Sequence, residues 1–421
     1  VKWVIFALAI TAVLPFGMWL RRRPHLLPTI FAAMPLLVFY GLDSLDINVI
    51  SYEDYRGDAR GIEVTIVDLL LGASALALPR ASAPAPYRLP RWAYMAAVLV
   101  SAALSPVLLY SSFSVWKLLR MYFLFAVTVR ACEDPRVPPA ILRGLSLGIL
   151  YEAALCAQQR YVLHLHQTPG NLGHQNTVGM AVNLVMPAIF ALVLERQGGR
   201  LAVATLGAGL VAIVLTLSRG AMTMAVLSLS AVYVVSLARK ATGRKLGIAV
   251  LGALAAAILL VQAWDTIVDR FTNAPRESAE GRVLFEHAAE RMLADHPMGV
   301  GINLFSHVLE HDGYGRDERL PEYDRSGIVH NVYWLTAAEV GYFGVGAYAL
   351  VLAGPIVTAL RAAAGRRRDV RRDVLFGLAV GLAVLYAQGT LEWALRQTAL
   401  SYLFWIIAAM IAGISRSLRS S

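Results

Sequence analysis

Charged and polar residues recur at a few narrow places in an otherwise apolar sequence, and their types suit the handling of an anion. Arg219 stands in Leu217-Ser218-Arg219-Gly220, a tight turn between two apolar runs, where the glycine lets backbone approach a ligand closely. Arg282 follows Glu280-Gly281 on a segment with helical spacing; from its position alone it reads as one residue of a solvated helix face. His330 precedes Asn331 at the mouth of an apolar run, a titratable base where a bound hydroxyl can be reached. Arginine suits phosphate because it offers a planar fork of donors and a permanent charge.

A second tier surrounds these three. Lys117 and Arg120 lie just inside one end of an apolar run, and Arg160 lies near the end of the next. His174 and Asn176 start another run within Gly173-His174-Gln175-Asn176, and Glu392 and Arg396 bracket the turn between the last two. Taken singly, the cations have an ordinary explanation in snorkelling to a membrane interface, and Asn176 and Asn331 in helix capping. Tyr333 and Trp334 suit the lining of a lipid or sugar path, or plain interfacial anchoring. Taken together, cations gathered at one side fit an anionic ligand held at a membrane surface. HExxH, a Cys/His metal cluster and the P-loop glycine-lysine motif are all missing from the sequence, so the chemistry is expected to need no metal, no ATP and no cofactor.

The elements that must position these residues are transmembrane helices. The chain is 57% hydrophobic and 16% charged, against about 25% charged in soluble domains. Continuous apolar runs of helical length exclude the short alternating segments of a membrane β-barrel. The candidate spans are 3–20, 24–42, 62–79, 92–110, 115–131, 144–164, 176–195, 200–217, 221–238, 246–264, 329–360, 374–391 and 397–415. The fold class is therefore an all-α polytopic integral membrane protein with about 12 transmembrane helices. The first run leads straight into Arg21-Arg22-Arg23 and is expected to stay in the membrane as a helix. Cys132 and Cys156 give no disulfide or metal spacing and are expected to be inert.

Connections alternate between basic clusters, such as Arg239-Lys240 with Arg244-Lys245 and Arg361 to Arg372, and short or acidic stretches holding Asp43, Asp46, Glu53, Asp54 and Asp58. The basic set belongs on the cytoplasmic side by the positive-inside rule. That rule explains the net charge of +10 without nucleic acid as a partner. One outer connection is much larger. Residues 265–328 hold 13 acidic and 7 basic residues, and from Ser278 to Asp295 the spacing of Val283, Leu284, Phe285, Ala288, Met292 and Leu293 predicts an amphipathic helix. The expected organisation is a transmembrane bundle over 1–264, a partly helical loop domain over 265–328, and transmembrane helices over 329–421.

Several linked segments resemble the bacterial O-antigen ligase and polymerase superfamily of membrane glycosyltransferases. They are YRGDARGIEVTIVDLL at 55–70, GNLGHQNTVG at 170–179, TLSRGA at 216–221, GRVLFEHAAERMLADHPMGVGINLF at 281–305 and HNVYWLTAAEVGYFG at 330–344. The resemblance implies an enzyme of the bacterial inner membrane with its site facing the periplasm. Its donor would be a glycan on undecaprenyl pyrophosphate, and its acceptor a sugar hydroxyl of lipid A–core. His330 matches the family's loop-end histidine and would act as general base; Arg219 and Arg282 match its arginines and would stabilise the leaving pyrophosphate. Transfer would be inverting. Lys117, Arg120, Arg160, His174, Asn176, Asn331 and Tyr333 are substrate-binding candidates. The ligase branch is favoured by the glycine-rich turn, long polar loop and HNVYW order; a polymerase or a protein O-oligosaccharyltransferase is the alternative. From a different class, a transporter or lipid flippase would place its charges near the bilayer midplane in symmetric halves.

Overall fold

The computed structural model describes residues 2–42, 46–252, 254, 257, 276–365 and 369–420. Asp43, the second half of the candidate span 246–264, the start of the 265–328 insertion and Arg366 to Arg368 lie outside the described residues. The helices are α1 (Lys2–Arg21), α2 (Leu27–Tyr40), α3 (Ile66–Ala77), α4 (Arg88–Ala103), α5 (Leu108–Ala131), α6 (Val137–Tyr161), α7 (Gln175–Leu194), α8 (Gly199–Thr216) and α9 (Arg219–Arg239). Next come α10 (243–252), α11 (Arg276–Asp295), α12 (Phe305–His311), α13 (Tyr314–Asp317), α14 (Val332–Ala363), α15 (Val370–Gln388) and α16 (Thr398–Ser420).

Among the described residues, eight helices are long and apolar enough to cross a membrane: α1, α5, α6, α7, α8, α9, α14 and α16. The expected spans 24–42 and 62–79 correspond to shorter helices, α2 and α3. The chain is mostly helical, as expected, but not wholly so. Residues assigned to the start of the 62–79 span form a strand instead. Asp46–Ser51 (β1) and Gly61–Thr65 (β2) pair antiparallel, with a register shift between Asn48 and Ile50. The β-branched Ile47, Val49, Ile50, Ile62, Val64 and Thr65 favour this extended pairing. Thr65 then turns the chain into α3 with a capping box: its backbone N–H donates to Asp68 at 2.8 Å, and Asp68 N–H donates to the threonine hydroxyl at 3.4 Å.

Helix α7 is buried along nearly its whole length, packed by α8, α9 and α15; α16 is nearly as enclosed against α5 and α14. Ala, Val, Leu, Ile and Met fill α7 on every side, as an interior helix requires. The amphipathic α11 buries Leu293, and packs Phe285, Ala288, Ala289 and Met292 in a satellite core with Leu304, Phe305, Val308 and Leu309. Val283, expected on that face, is turned outward.

The satellite core is locked onto α14 at a break. Gly341 has φ 74° and ψ −176°, so α14 is two helices joined at a kink, not the single span 329–360. Polypeptide from the turn after α11 fills the gap. The carbonyls of Ala338 and Glu339 accept from Val300 N–H (2.9 Å) and Gly301 N–H (3.2 Å), and Tyr342 N–H donates to Pro297 (3.1 Å). Every backbone group named is thus satisfied across the break. Residues 342–363 rise about 33 Å at 1.5 Å each, close to the ~30 Å of a hydrocarbon core. The preceding segment, 332–340, carries the end of the bundle that holds His330.

Candidate functional site

Three chain segments converge on one carboxylate, and a fourth supports them. Glu392, in the turn between α15 and α16, is 6% exposed. Its Oε1 accepts from Asn176 Nδ2 at 2.6 Å and lies 3.8 Å from Arg282 Nη2; its Oε2 lies 3.3 Å from His330 Nδ1. The Ser218 hydroxyl donates to Asn176 Oδ1 at 2.8 Å and caps α9 through Ala221 N–H. That cap sets Arg219 in the first turn of α9, next to the cluster, where the helix N-terminus adds positive potential. The sequence had marked Glu392 as a charge bracketing a turn, without a site role.

Backbone contacts fix the geometry. Val332 N–H donates to the carbonyls of Gly389 (2.9 Å) and Glu392 (3.2 Å), tying the start of α14 to the turn that carries the carboxylate. Thr177 donates to Gln397 at 2.7 Å, so consecutive residues of α7 hold two points of the same turn. Asn331 caps α14 through Tyr333 and Trp334 N–H, and its amide donates to Glu286 at 2.9 Å. Glu286 lies one helical turn after Arg282, so this bond turns the arginine's face of α11 toward His330.

Burial pushes the Glu392 carboxyl up, but contact with His330, the Asn176 amide and the nearby His174 outweigh it and hold it below the usual carboxylate range. An ionised carboxylate only accepts, so its contact with Nδ1 places a proton there, and in the neutral ring the lone pair is then on Nε2. Among the described residues Nε2 has no partner, and the His330 side chain is 42% exposed. His174 caps α7, its Nδ1 accepting from Asn176 N–H at 3.2 Å. Burial lowers its pKa, and the nearby Glu392 opposes that shift.

His174, His330 and Glu392 open on a cavity of about 760 Å³, walled also by Arg56 to Gly61, Asn171 and residues 397–399. Its volume is in the range of small-molecule and cofactor sites. Beneath it lies a buried ion network. Arg396 contacts Glu339 at 2.6 Å and Asp58 at 3.4 Å, and Lys117 contacts Asp58 at 3.5 Å and the Arg396 carbonyl. These four charges cancel, as buried charges must.

The remaining candidates separate from this cluster. Arg120 is committed to Glu63 (2.8 Å) and Asp68 (2.8 Å) and contacts Tyr402, stitching β2, α3, α5 and α16 together. Arg160 closes its own turn through the carbonyls of Leu165 and His166. The Tyr333 hydroxyl donates to the Tyr386 carbonyl at 2.8 Å, within the helix packing. Lys117 does line the cavity, but its ammonium is paired as just described.

Residues 203–349 match the family model described as O-antigen ligase. The chain carries an O-antigen ligase domain. That domain runs from α8 past the break in α14 and contains Arg219, Arg282, His330 and Glu339. The O-antigen ligase match implies a membrane glycosyltransferase-type enzyme, and together with the apolar helices it supports a multi-pass membrane protein. The match implies, in general, a lipid-linked glycan and a lipid acceptor as substrates. Asn176 and Glu392 lie outside the matched O-antigen ligase domain and are brought to it by α7 and the α15–α16 turn. No curated protein matches the chain.

Proposed function

We propose that the chain is an O-antigen ligase that transfers a glycan from undecaprenyl pyrophosphate to a sugar hydroxyl of lipid A–core. It works in the bacterial inner membrane, with about 12 crossings and its site facing the periplasm. The observation that carries this is the convergence of His330, Arg282 and Asn176 on Glu392 at the cavity wall. Glu392 holds Nδ1 of His330, leaving Nε2 to take the proton of the acceptor hydroxyl. The hydroxyl oxygen bonds to the anomeric carbon as the bond from that carbon to the pyrophosphate oxygen breaks. The lipid pyrophosphate leaves with the electron pair, and configuration inverts. Arg282, 3.8 Å from Glu392 and 39% exposed, is loosely held and free to turn to the pyrophosphate. Arg219 and the α9 N-terminus supply the second positive group. The donor is already activated, so transfer needs no ATP and proceeds without metal.

The test is reconstitution of the purified protein in liposomes with the lipid-pyrophosphate glycan and lipid A–core, with chelator and without ATP. Glycan on lipid A–core with wild type, and none with His330→Ala, is the expected result. Lengthened glycan still on the carrier lipid would replace the ligase assignment with a polymerase of the same chemistry. No transfer from folded protein with verified substrates would overturn the enzyme reading in favour of transport.

A further inference from the structure

The cavity has a second wall, the 52–60 loop that joins β1 to β2. The loop lacks regular structure yet is firmly held. The Tyr55 ring stacks on Tyr110 with centroids 4.0 Å apart, and its hydroxyl donates to the Asn303 carbonyl. The Asn303 side chain donates to the Ala59 carbonyl (2.8 Å) and accepts from Ala59 N–H (3.1 Å). Ser306 donates to the Arg56 carbonyl at 3.1 Å. A loop pinned at Tyr55, Arg56 and Ala59 presents its side chains in fixed directions, so little ordering entropy remains to be lost on binding.

Those directions sort by charge. The Asp58 carboxylate is 2% exposed and turned inward to Lys117 and Arg396. Arg56 and Arg60, two residues to either side, are exposed and line the cavity. Neither guanidinium has a partner among the described residues. Most of the carboxylates that share the cavity wall are occupied: Glu63 by Arg120, Asp58 by the buried network, and Glu392 by Asn176 and His330. Asp46 accepts from Asn48 at 3.5 Å. Glu53 and Asp54, also in this loop, do not line the cavity. The cavity that His330 lines is therefore also lined by two free forks of donors for an anion.

We propose that Arg56 and Arg60 form a second anion subsite, which binds a phosphate or carboxylate carried by the acceptor sugar. It is separate from the pyrophosphate site of Arg219 and Arg282, and the inference rests on the transferase function proposed above. Holding the acceptor's anion on the hairpin loop directs its hydroxyl across the cavity toward His330. Arg219 and Arg282 are not among the residues lining this cavity, so the two substrates are sorted by position, each anion going to its own pair of arginines.

Two readouts test this, one of them independent of transfer. Calorimetry of the full-length protein uses an acceptor oligosaccharide with its phosphates and carboxyls intact, the same sugar after phosphatase treatment, and the same sugar after carboxyl reduction. Wild type is expected to bind the intact sugar about tenfold more tightly than at least one stripped form, as the loss of a charge-assisted contact implies. Which stripped form loses affinity names the anion. Arg56→Gln with Arg60→Gln removes that tenfold preference, and Arg56→Lys with Arg60→Lys restores part of it. In the transfer assay the Gln pair raises the acceptor KM about tenfold without a matching rise in the donor KM. Equal binding of all three sugars by wild type overturns the subsite, whether or not transfer occurs. A Gln pair that raises the donor KM instead also overturns it, by giving these arginines to the pyrophosphate. Sugar binding with the expected preference but no transfer leaves the subsite standing and removes the transferase.

Discussion

Nδ1 of His330 lies 3.3 Å from Oε2 of Glu392, and Asn176 holds the other carboxylate oxygen at 2.6 Å. Each of the two oxygens thus has a polar partner, and the imidazole is held by Nδ1, its Nε2 having no partner among the described residues. Such a pair fixes tautomer as well as position, because only the Nδ1–H form can donate to a carboxylate.

Glu392→Gln tests that assignment. The glutamine amide can donate to Nδ1 as well as accept, so it supports the wrong tautomer at little steric cost. Transfer is expected to fall about 10²–10⁴-fold, approaching the loss from His330→Ala, as general-base catalysis and tautomer control predict. Donor affinity, measured by binding, should stay within about threefold, a difference under 1 kcal/mol. A Gln variant with near-normal turnover would show that the carboxylate does not position the base.

The same carboxylate gives a pH dependence with a definite sign. Its folded pKa lies below the usual range, so its contribution to stability is complete above the unfolded value, about 4.3 for glutamate. It is lost as pH falls through the lower folded value. The melting temperatures of wild type and Glu392→Gln should therefore differ most above about pH 5 and converge in more acidic solution. A gap that widened on acidification would contradict the assignment.

Gly341 is a position where only glycine serves. Its φ of 74° disfavours any side chain, and a Cβ there would lie 2.3 Å from the Pro297 carbonyl oxygen. Gly341→Ala is expected to cost more than about 1 kcal/mol and to loosen the 297–301 turn from α14. Limited proteolysis near Met298, which is half exposed, reads this directly, with faster cleavage in the variant.

Much of the site was legible because its members stand at helix starts, where a polar residue interrupts an apolar run. His330, Asn331, His174 and Asn176 are all of this kind. Arg282 was visible only through its motif, since an exposed helix face holds many arginines. Glu392 escaped a role because its partners lie 62 and 216 residues away in sequence. Lys117 and Arg120 were visible as charges in an apolar helix, but their acids come from the 52–60 loop, β2 and α3, and hydropathy merged β2 with α3. The α14 break was equally hidden, since a glycine inside an apolar run gives no local sign of the turn that docks there.

The buried network beneath the cavity sets up the last prediction. Asp58 and Glu339 balance Lys117 and Arg396, and every one of these side chains is less than a tenth exposed. Glu339→Gln removes one negative charge and leaves Arg396 short of a partner, an imbalance expected to cost about 3–5 kcal/mol. Replacing both Glu339 and Arg396 by Met removes the pair and leaves Asp58 matched with Lys117. The double variant should be more stable than Glu339→Gln alone, which a thermal melt of the detergent-solubilised protein reads. Stability losses that simply add would mean that the two charges do not interact. The distinction matters for function because Asp58 anchors the loop bearing Arg56 and Arg60 through Lys117 as well as Arg396. If Lys117 alone holds that loop, the double variant keeps its acceptor KM; if Arg396 is needed, stability recovers while acceptor KM rises.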